Sequence, residues 1–194
     1  METARSNADL LREIVEQSLG HGIELLSHVE LMEAQNANGV NERLAAAGLQ
    51  NPAVAIRNAM MTRIVLMIAR EFSKPRETDR NLHRAIDLLS DPTVQQIFSK
   101  NSKEIAEAEA HFKKCKGDNR LNEISHFRDK YTAHIGEPRG TPLPKYKDLF
   151  AFANETVHCI DLIAKATNIA SVKVADNNDA KDQAAAFWKP WSKA

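Results

Sequence analysis

Little in this chain favours β-structure or a cross-linked scaffold. Aromatic residues are 6% of its 194 residues and glycine occurs seven times. With Ala, Leu, Ile, Glu and Lys abundant, that scarcity favours helices over sheets. The two cysteines, Cys115 and Cys159, have no close spacing. They suggest neither a disulfide framework nor a zinc knuckle, and read as reduced thiols. Neither charge is in excess: 26 Lys and Arg face 26 Asp and Glu. A globally basic nucleic-acid binder is not indicated, which leaves room only for a local basic patch. The first residues are polar and acidic, without the basic start and apolar core of a signal peptide. The longest apolar run, Met60–Met61 with Ile64–Ala69, is interrupted by Arg63 and closed by Arg70, and reads as too short for a membrane span. The expectation is a cytoplasmic protein that does not enter a membrane. P-loop, dinucleotide and serine-nucleophile motifs are missing, so no cofactor is expected. No metal site is expected either. His21 and His28 lack a third ligand, and His158 and Asp161 read as incidental.

What is present is helical periodicity and a hydrophobic content of 43%, ample for a core. Leu10, Leu11, Ile14, Val15, Leu19, Ile23, Leu26 and Leu31 recur at three- and four-residue steps, predicting a long helix over 9–34. Gly20 and Gly22 would bend it or admit a neighbour closely. A short helix over 41–47 ends at Gly48. Asn51-Pro52 reads as a helix start. The helix that follows, to about Phe72, is apolar almost all round, which predicts the centre of a bundle. A helix over 79–90 follows a loop at Lys74-Pro75. Asp91-Pro92 starts a polar helix towards Cys115, broken near Asn101. Asp118 or Asn119 caps a helix over 119–135 that Gly136 stops, and a proline-rich loop leads to a last long helix over 146–166. The length suits one domain: a helical bundle over 1–170, then a tail over 171–194. The tail holds Phe187, Trp188 and Trp191, aromatic residues that need a surface to dock on, either this bundle or a second subunit.

On the helix over 119–135, Leu121, Ile124, Arg128, Tyr131 and Ile135 fall on one stripe at 100° per residue. Arg128 interrupts an apolar face, so its guanidinium needs a carboxylate, a phosphate or water. His134 lies about 9 Å along the axis and about 120° around from it, with Tyr131 between. The two cannot easily touch within one helix. Two antiparallel copies about a two-fold axis would put both pairs in one cleft. An Arg–His cleft suits RNA cleavage: imidazole moves protons near neutral pH, and guanidinium stabilises charge on the phosphorane. Between His111 and Lys147 there are nine Lys or Arg and four Asp or Glu, a local basic patch that could guide an RNA backbone as readily as form a solvated face.

Arg128-Asp129-Lys130 followed by Ala133-His134 resembles the Arg-polar-x-His motif of HEPN domains, small helical bundles widespread in prokaryotic defence and toxin–antitoxin systems. The five residues between Arg128 and His134 fall within that family's range. The surroundings resemble the abortive-infection branch, where an apolar helix containing arginine (here 57–70) precedes a loop and a Leu-rich helix (here 81–89). The resemblance covers about 52–166. It implies an all-α, multi-helix up-and-down bundle that homodimerises around a composite active site. The implied activity is metal-independent endonucleolytic cleavage of RNA: a 2′-hydroxyl attacks the adjacent phosphate, leaving a cyclic phosphate and a 5′-hydroxyl. Arg128 would bind the phosphate, His134 act as acid or base, and Asp129 orient one of them, with Lys130, Tyr131 and Arg120 along the RNA. An antitoxin protein is a further partner the resemblance allows. Ile135-Gly136 follows His134 where some toxin members have x-Tyr, so antitoxin modification at that tyrosine is not implied. Two other readings stay open. One is a non-catalytic HEPN-like module that dimerises and binds RNA, a nucleotide or a protein. The other is a structural bundle in which Arg128 pairs with a buried acid and a helix dipole holds His134.

Overall fold

Three polar side chains set where the chain turns from one helix to the next. The computed structural model describes residues 2–37, 39–132, 144–169, 173–176 and 178–192, with the backbone alone at 2–5, 131 and 132. Asn81, Asp91 and Asp118 each adopt extended backbone and accept a hydrogen bond from a backbone N–H two or three residues on, from Arg84, Thr93 and Arg120 respectively. Each satisfies a donor that the first helical turn leaves unpaired. The helices are α1 Glu2–Asn36, α2 Val40–Ala46, α3 Gln50–Phe72, α4 Leu82–Leu89, α5 Pro92–Ile97, α6 Ser102–Lys116, α7 Asn119–Phe127, α8 Tyr146–Ala166 and α9 Asp179–Trp188. Among the described residues there is no strand. The architecture is an all-α bundle, as expected. The expected break near Asn101 is a 3₁₀ turn, Ser99–Asn101. Asn51 does not cap α3, which begins at Gln50 after Leu49 without a side-chain cap.

α1 is the spine, with α8, α9, α3 and α4 all lying against it. Its face of Leu11, Ile14, Val15, Leu25, Val29 and Met32 is buried, as its periodicity requires. The two glycines differ. A Cβ on Gly20 would meet nothing, whereas one on Gly22 would lie 3.3 Å from Ile160 Cδ1 and 3.3 Å from Val174 Cγ1. Gly22 is where α8 and the turn after it come closest to α1.

The expected place of α3 needs correcting. Its inner stripe of Met60, Ile64, Val65, Met67, Ile68 and Phe72 is buried, but Ile56, Ala59, Arg63, Leu66 and Arg70 face outward. Its bounds, Gln50–Phe72, are close to those expected, but the apolar run read as too short for a membrane span passes that test. Over an 18-residue window its mean hydropathy is 1.3, enough by length and composition to cross a membrane, with 39% of that window buried. The centre of the bundle belongs to α8. Leu149, Phe152, Ala153, Val157, Cys159, Ile160, Ile163 and Ala166 are at most 1% exposed, because α1, α3, α4, α6 and α7 surround them. Asp161, read as incidental, is 6% exposed. Its carboxylate accepts from the backbone N–H groups of Val174 and Ala175 at 2.7 and 3.1 Å, tying down the turn that precedes α9.

α9 lies along α1. Trp188 is 5% exposed among Val40, Leu44 and Ala53, and its indole Nε1–H donates to Leu31 O at 2.9 Å. Phe187 stays exposed.

The two glycines give a direct test of the α1–α8 approach. Gly20→Ala should raise unfolding stability by up to about 1 kcal/mol, the helix-propensity gain at an open position. Gly22→Leu should lower it by about 1–3 kcal/mol through overpacking. Urea unfolding of both variants measures the difference.

Candidate functional site

The regular α-helical ladder of α7 stops at Phe127, and Arg128–Thr132 form a π-helical turn. Such turns are rare and recur at functional positions. The projection at 100° per residue therefore holds as far as Arg128, whose own backbone is still α-helical, and not for the residues after it. Leu121, Ile124 and Phe127 carry the buried stripe, and Arg128 beside it is half-buried. The Arg128 side chain is 32% exposed, and its Nη2 and Nε lie 2.6 and 2.8 Å from Asp129 Oδ1. Asp129 thus grips the guanidinium of its own neighbour, a charge-assisted pair that fixes the direction of the planar fork. Lys130 is exposed on the same turn. The side chain of Tyr131, and His134, Ile135, Gly136 and the proline-rich loop up to 143, lie outside the described residues.

Arg128 lines an open cleft of about 560 Å³ with Arg70 of α3, Gln17 of α1, and Ser73, Arg80 and Asn81 of the α3–α4 connection. Three guanidinium groups around one polar cleft suit a phosphate or another oxyanion. Arg80 is partly balanced by Glu13 at 3.4 Å, and Arg70 donates to Arg80 O at 3.3 Å.

This cleft is built from below by two buried polar residues. Asn81 is 1% exposed. Its amide donates to Arg70 O at 3.0 Å and to Ser73 O at 3.2 Å while its carbonyl caps α4. Glu71 is 2% exposed. One carboxylate oxygen accepts from Leu82 N at 2.9 Å and the other lies 3.0 Å from His21 Nδ1. The end of α3, the start of α4 and α1 are joined at one point, and the connection carrying Arg80 is held over the cleft.

Arg120 does not join this cleft. Its Nη2 lies 2.6 Å from Asp118 Oδ2, and its guanidinium sits 5.4 Å over the Phe152 ring. Hydrogen bonding to Asp118, the largest influence, raises Arg120 above its ordinary value and lowers Asp118 below 3.8. Other cations of the basic segment are also engaged: Lys116 Nζ donates to Phe72 O at 2.9 Å and Lys114 Nζ lies 3.4 Å from Glu155. Arg70 and Arg80 were missed from the sequence. Arg70 had one signal, as the charged end of an apolar run. Arg80 had none, because the cleft forms only when the α3–α4 connection folds back.

Both cysteines are free and buried. Burial, then the nearby Glu155 charge, pushes Cys115 up to about 11, and burial raises Cys159 well above 9.0. Neither is an activated nucleophile. Away from the arginines, His111, Cys115 and Glu155 bring three donor atoms within 4.8 Å of one another.

The described residues thus form a helical bundle in which Arg128 and Asp129, directly after α7, stand beside an arginine-lined cleft. The chain belongs to the HEPN_AbiU2 family, an abortive-infection HEPN family: its model, described as AbiU2, matches residues 9–186. The match runs from α1 into α9, beyond the 52–166 that the motif suggested. Neither the curated proteins nor the solved structures contain a match to this chain.

Two substitutions test how the site is held. Glu71→Ala should cost about 3 kcal/mol, because it leaves the Leu82 N–H and His21 without their buried partner; chemical denaturation and faster amide exchange at Leu82 are the readouts. Asp118→Ala should cost about 1 kcal/mol at pH 7 as a lost cap. A carboxylate lowered on folding stabilises the protein fully above its ordinary value and loses that contribution as pH falls through the lowered one. The gap between wild type and Asp118→Ala should therefore stay constant down to about the ordinary value of 3.8 and narrow below it, as followed by thermal unfolding across pH.

Proposed function

We propose that this AbiU2-family chain is a HEPN-type endoribonuclease of the cytoplasm that works as a homodimer in abortive infection or toxin–antitoxin growth control. One observation carries the reading: Arg128, the arginine of the motif, lines a cleft with Arg70 and Arg80. That is a setting for the phosphate backbone of RNA and for the charge that builds up when it is cut.

An RNA phosphate lies against Arg128, whose fork Asp129 orients. His134, six residues on, takes the proton from the adjacent 2′-hydroxyl. The oxygen so freed attacks phosphorus, and guanidinium groups balance the added negative charge of the phosphorane. The bond to the 5′-oxygen breaks, and that oxygen leaves with a proton, giving a cyclic phosphate and a 5′-hydroxyl. Two copies supply two His134 side chains, one as base and one as acid. The reaction needs no metal. Lys130 and Tyr131, next to the motif, follow the strand. Arg120, bound to Asp118, contributes only if RNA draws it away. An antitoxin would act by covering the cleft.

Cleavage of total RNA by wild type, Arg128→Ala and His134→Ala tests this. Wild type should leave cyclic-phosphate ends, and both variants should be slower by about 100-fold or more. His134→Ala should still bind RNA. Equal activity of wild type and His134→Ala removes the catalytic role. RNA binding that weakens in Arg128→Ala, with no cleavage by any form, would instead identify a binding module of the same fold. Sedimentation of wild type reports the dimer.

A further inference from the structure

α6 and α8 lie side by side, and His111 and Cys115 of α6 meet Glu155 of α8 at one spot, with His158 of α8 beside them. His111 and Cys115 are four residues apart on α6. Glu155 and His158 are three apart on α8, so each pair shares a helix face. His111 Nε2 lies 3.5 Å from Cys115 Sγ and 3.4 Å from Glu155 Oε2. All three donor atoms lie within 4.8 Å of one another. The His158 ring stands edge-on to that of His111, their centroids 4.6 Å apart.

These separations can be compared with those a metal would impose. Zinc bonds nitrogen at about 2.0–2.1 Å, carboxylate oxygen at about 2.0–2.2 Å and sulfur at about 2.3 Å. At tetrahedral angles, those bonds place nitrogen about 3.6 Å from sulfur and about 3.3–3.4 Å from oxygen. These two contacts of His111 match edges of a zinc tetrahedron; the same Nε2 also lies 3.2 Å from Glu155 O, a hydrogen bond that the metal would replace. The donor set of imidazole, thiol and carboxylate suits zinc or a similar transition metal and does not suit magnesium or calcium, which take oxygen ligands.

We propose that His111, Cys115, Glu155 and His158 form a tetrahedral site for a zinc-class divalent cation that staples α6 to α8. Cys115 is 2% exposed, so the sulfur forms the floor of the site. Glu155 is 30% exposed at its side chain and His158 is on the surface, so the cation enters from their side. Binding replaces the thiol proton with the metal. His158 closes the fourth position by rotating its exposed side chain. Lys114, which lies 3.4 Å from Glu155, is 65% exposed and swings into water when the cation arrives. With four protein ligands the site is structural. It shares no residue with the arginine-lined cleft. Its effect reaches that side through the chain, because α6 leads directly into α7, which ends at Arg128. The ligands come in pairs from helices far apart in sequence, so no short Cys/His spacing announces them.

A hydrogen-bonded cluster without metal would also place sulfur beside imidazole, and the experiment separates the two. Metal-free full-length protein is titrated with Zn²⁺ and, separately, with Co²⁺. The site requires one equivalent of each, a raised Tm, and a thiolate-to-cobalt charge-transfer band with the strong visible absorption of tetrahedral cobalt. Cys115→Ser should abolish the band. His111→Ala and Glu155→Gln should weaken Zn²⁺ binding by more than the ~10–100-fold that losing an outer-shell partner costs. Cys159→Ala should keep the band. If Cys115→Ser does not fold, exposed His158→Ala serves in its place, with at least about 10-fold weaker binding at unchanged circular dichroism. The proposal is overturned if wild type shows no charge-transfer band, or if His111→Ala and Glu155→Gln bind Zn²⁺ as tightly as wild type.

Discussion

The buried carboxylate of Glu71 is the contact on which the arginine side of this bundle depends. It sits at the last turn of α3 with 2% exposure, where an ion without partners would cost several kcal/mol. Its two oxygens resolve that cost by meeting the first backbone N–H of α4 and the ring of His21. Three helices are thereby joined at one point. The N–H at the start of α4 is one that no helical bond can satisfy, and the positive end of the helix dipole favours an anion there. Asn81, bonded to Arg70 O and Ser73 O, closes the same connection from its other end. With both ends held, the 73–81 connection can carry polar groups towards the cleft without unravelling α3 or α4.

Above that foundation the cleft gathers charges that repel one another. Arg70, Arg80 and Arg128 share it with one carboxylate, Asp79, and Glu13 and Asp129 offset two of the arginines. Carboxylates on exposed side chains are weak partners. A phosphate carries more charge and more acceptors, so it can compete for the same guanidinium groups. Arg128 directly follows the last residue of α7 and opens the π-helical turn, at the edge of the cleft.

Much of this was legible in the residues, and the exceptions have physical causes. The caps at Asp91 and Asp118, the break before Ser102 and the bounds of α8 follow from side chains that act on their own neighbours, and local chemistry of that kind can be read from sequence. The central helix could not be chosen this way. α3 and α8 are both rich in apolar residues, and which one is surrounded depends on how the others pack. Asp161 looked incidental because its partners, Val174 N and Ala175 N, become its neighbours only when the chain folds back. The arginine motif pointed to one member of the cleft. Arg70 and Arg80 come from other elements and reach it through the folded connection. The same holds for His111, Cys115, Glu155 and His158, which are two unremarkable pairs until α6 and α8 meet.

By itself the sequence determined that this chain is a helical bundle and that Arg128 lies at the end of a late helix. Period, capping and turn chemistry act over a few residues and depend little on the rest of the fold. It also carried enough of the HEPN pattern to place the chain in its family. The tertiary structure alone decided which helix occupies the centre and that Trp188 packs on α1. It also decided that Arg128 meets Arg70 and Arg80, because these outcomes depend on distances between segments far apart in the chain, set by the packing of whole helices and by buried groups such as Glu71.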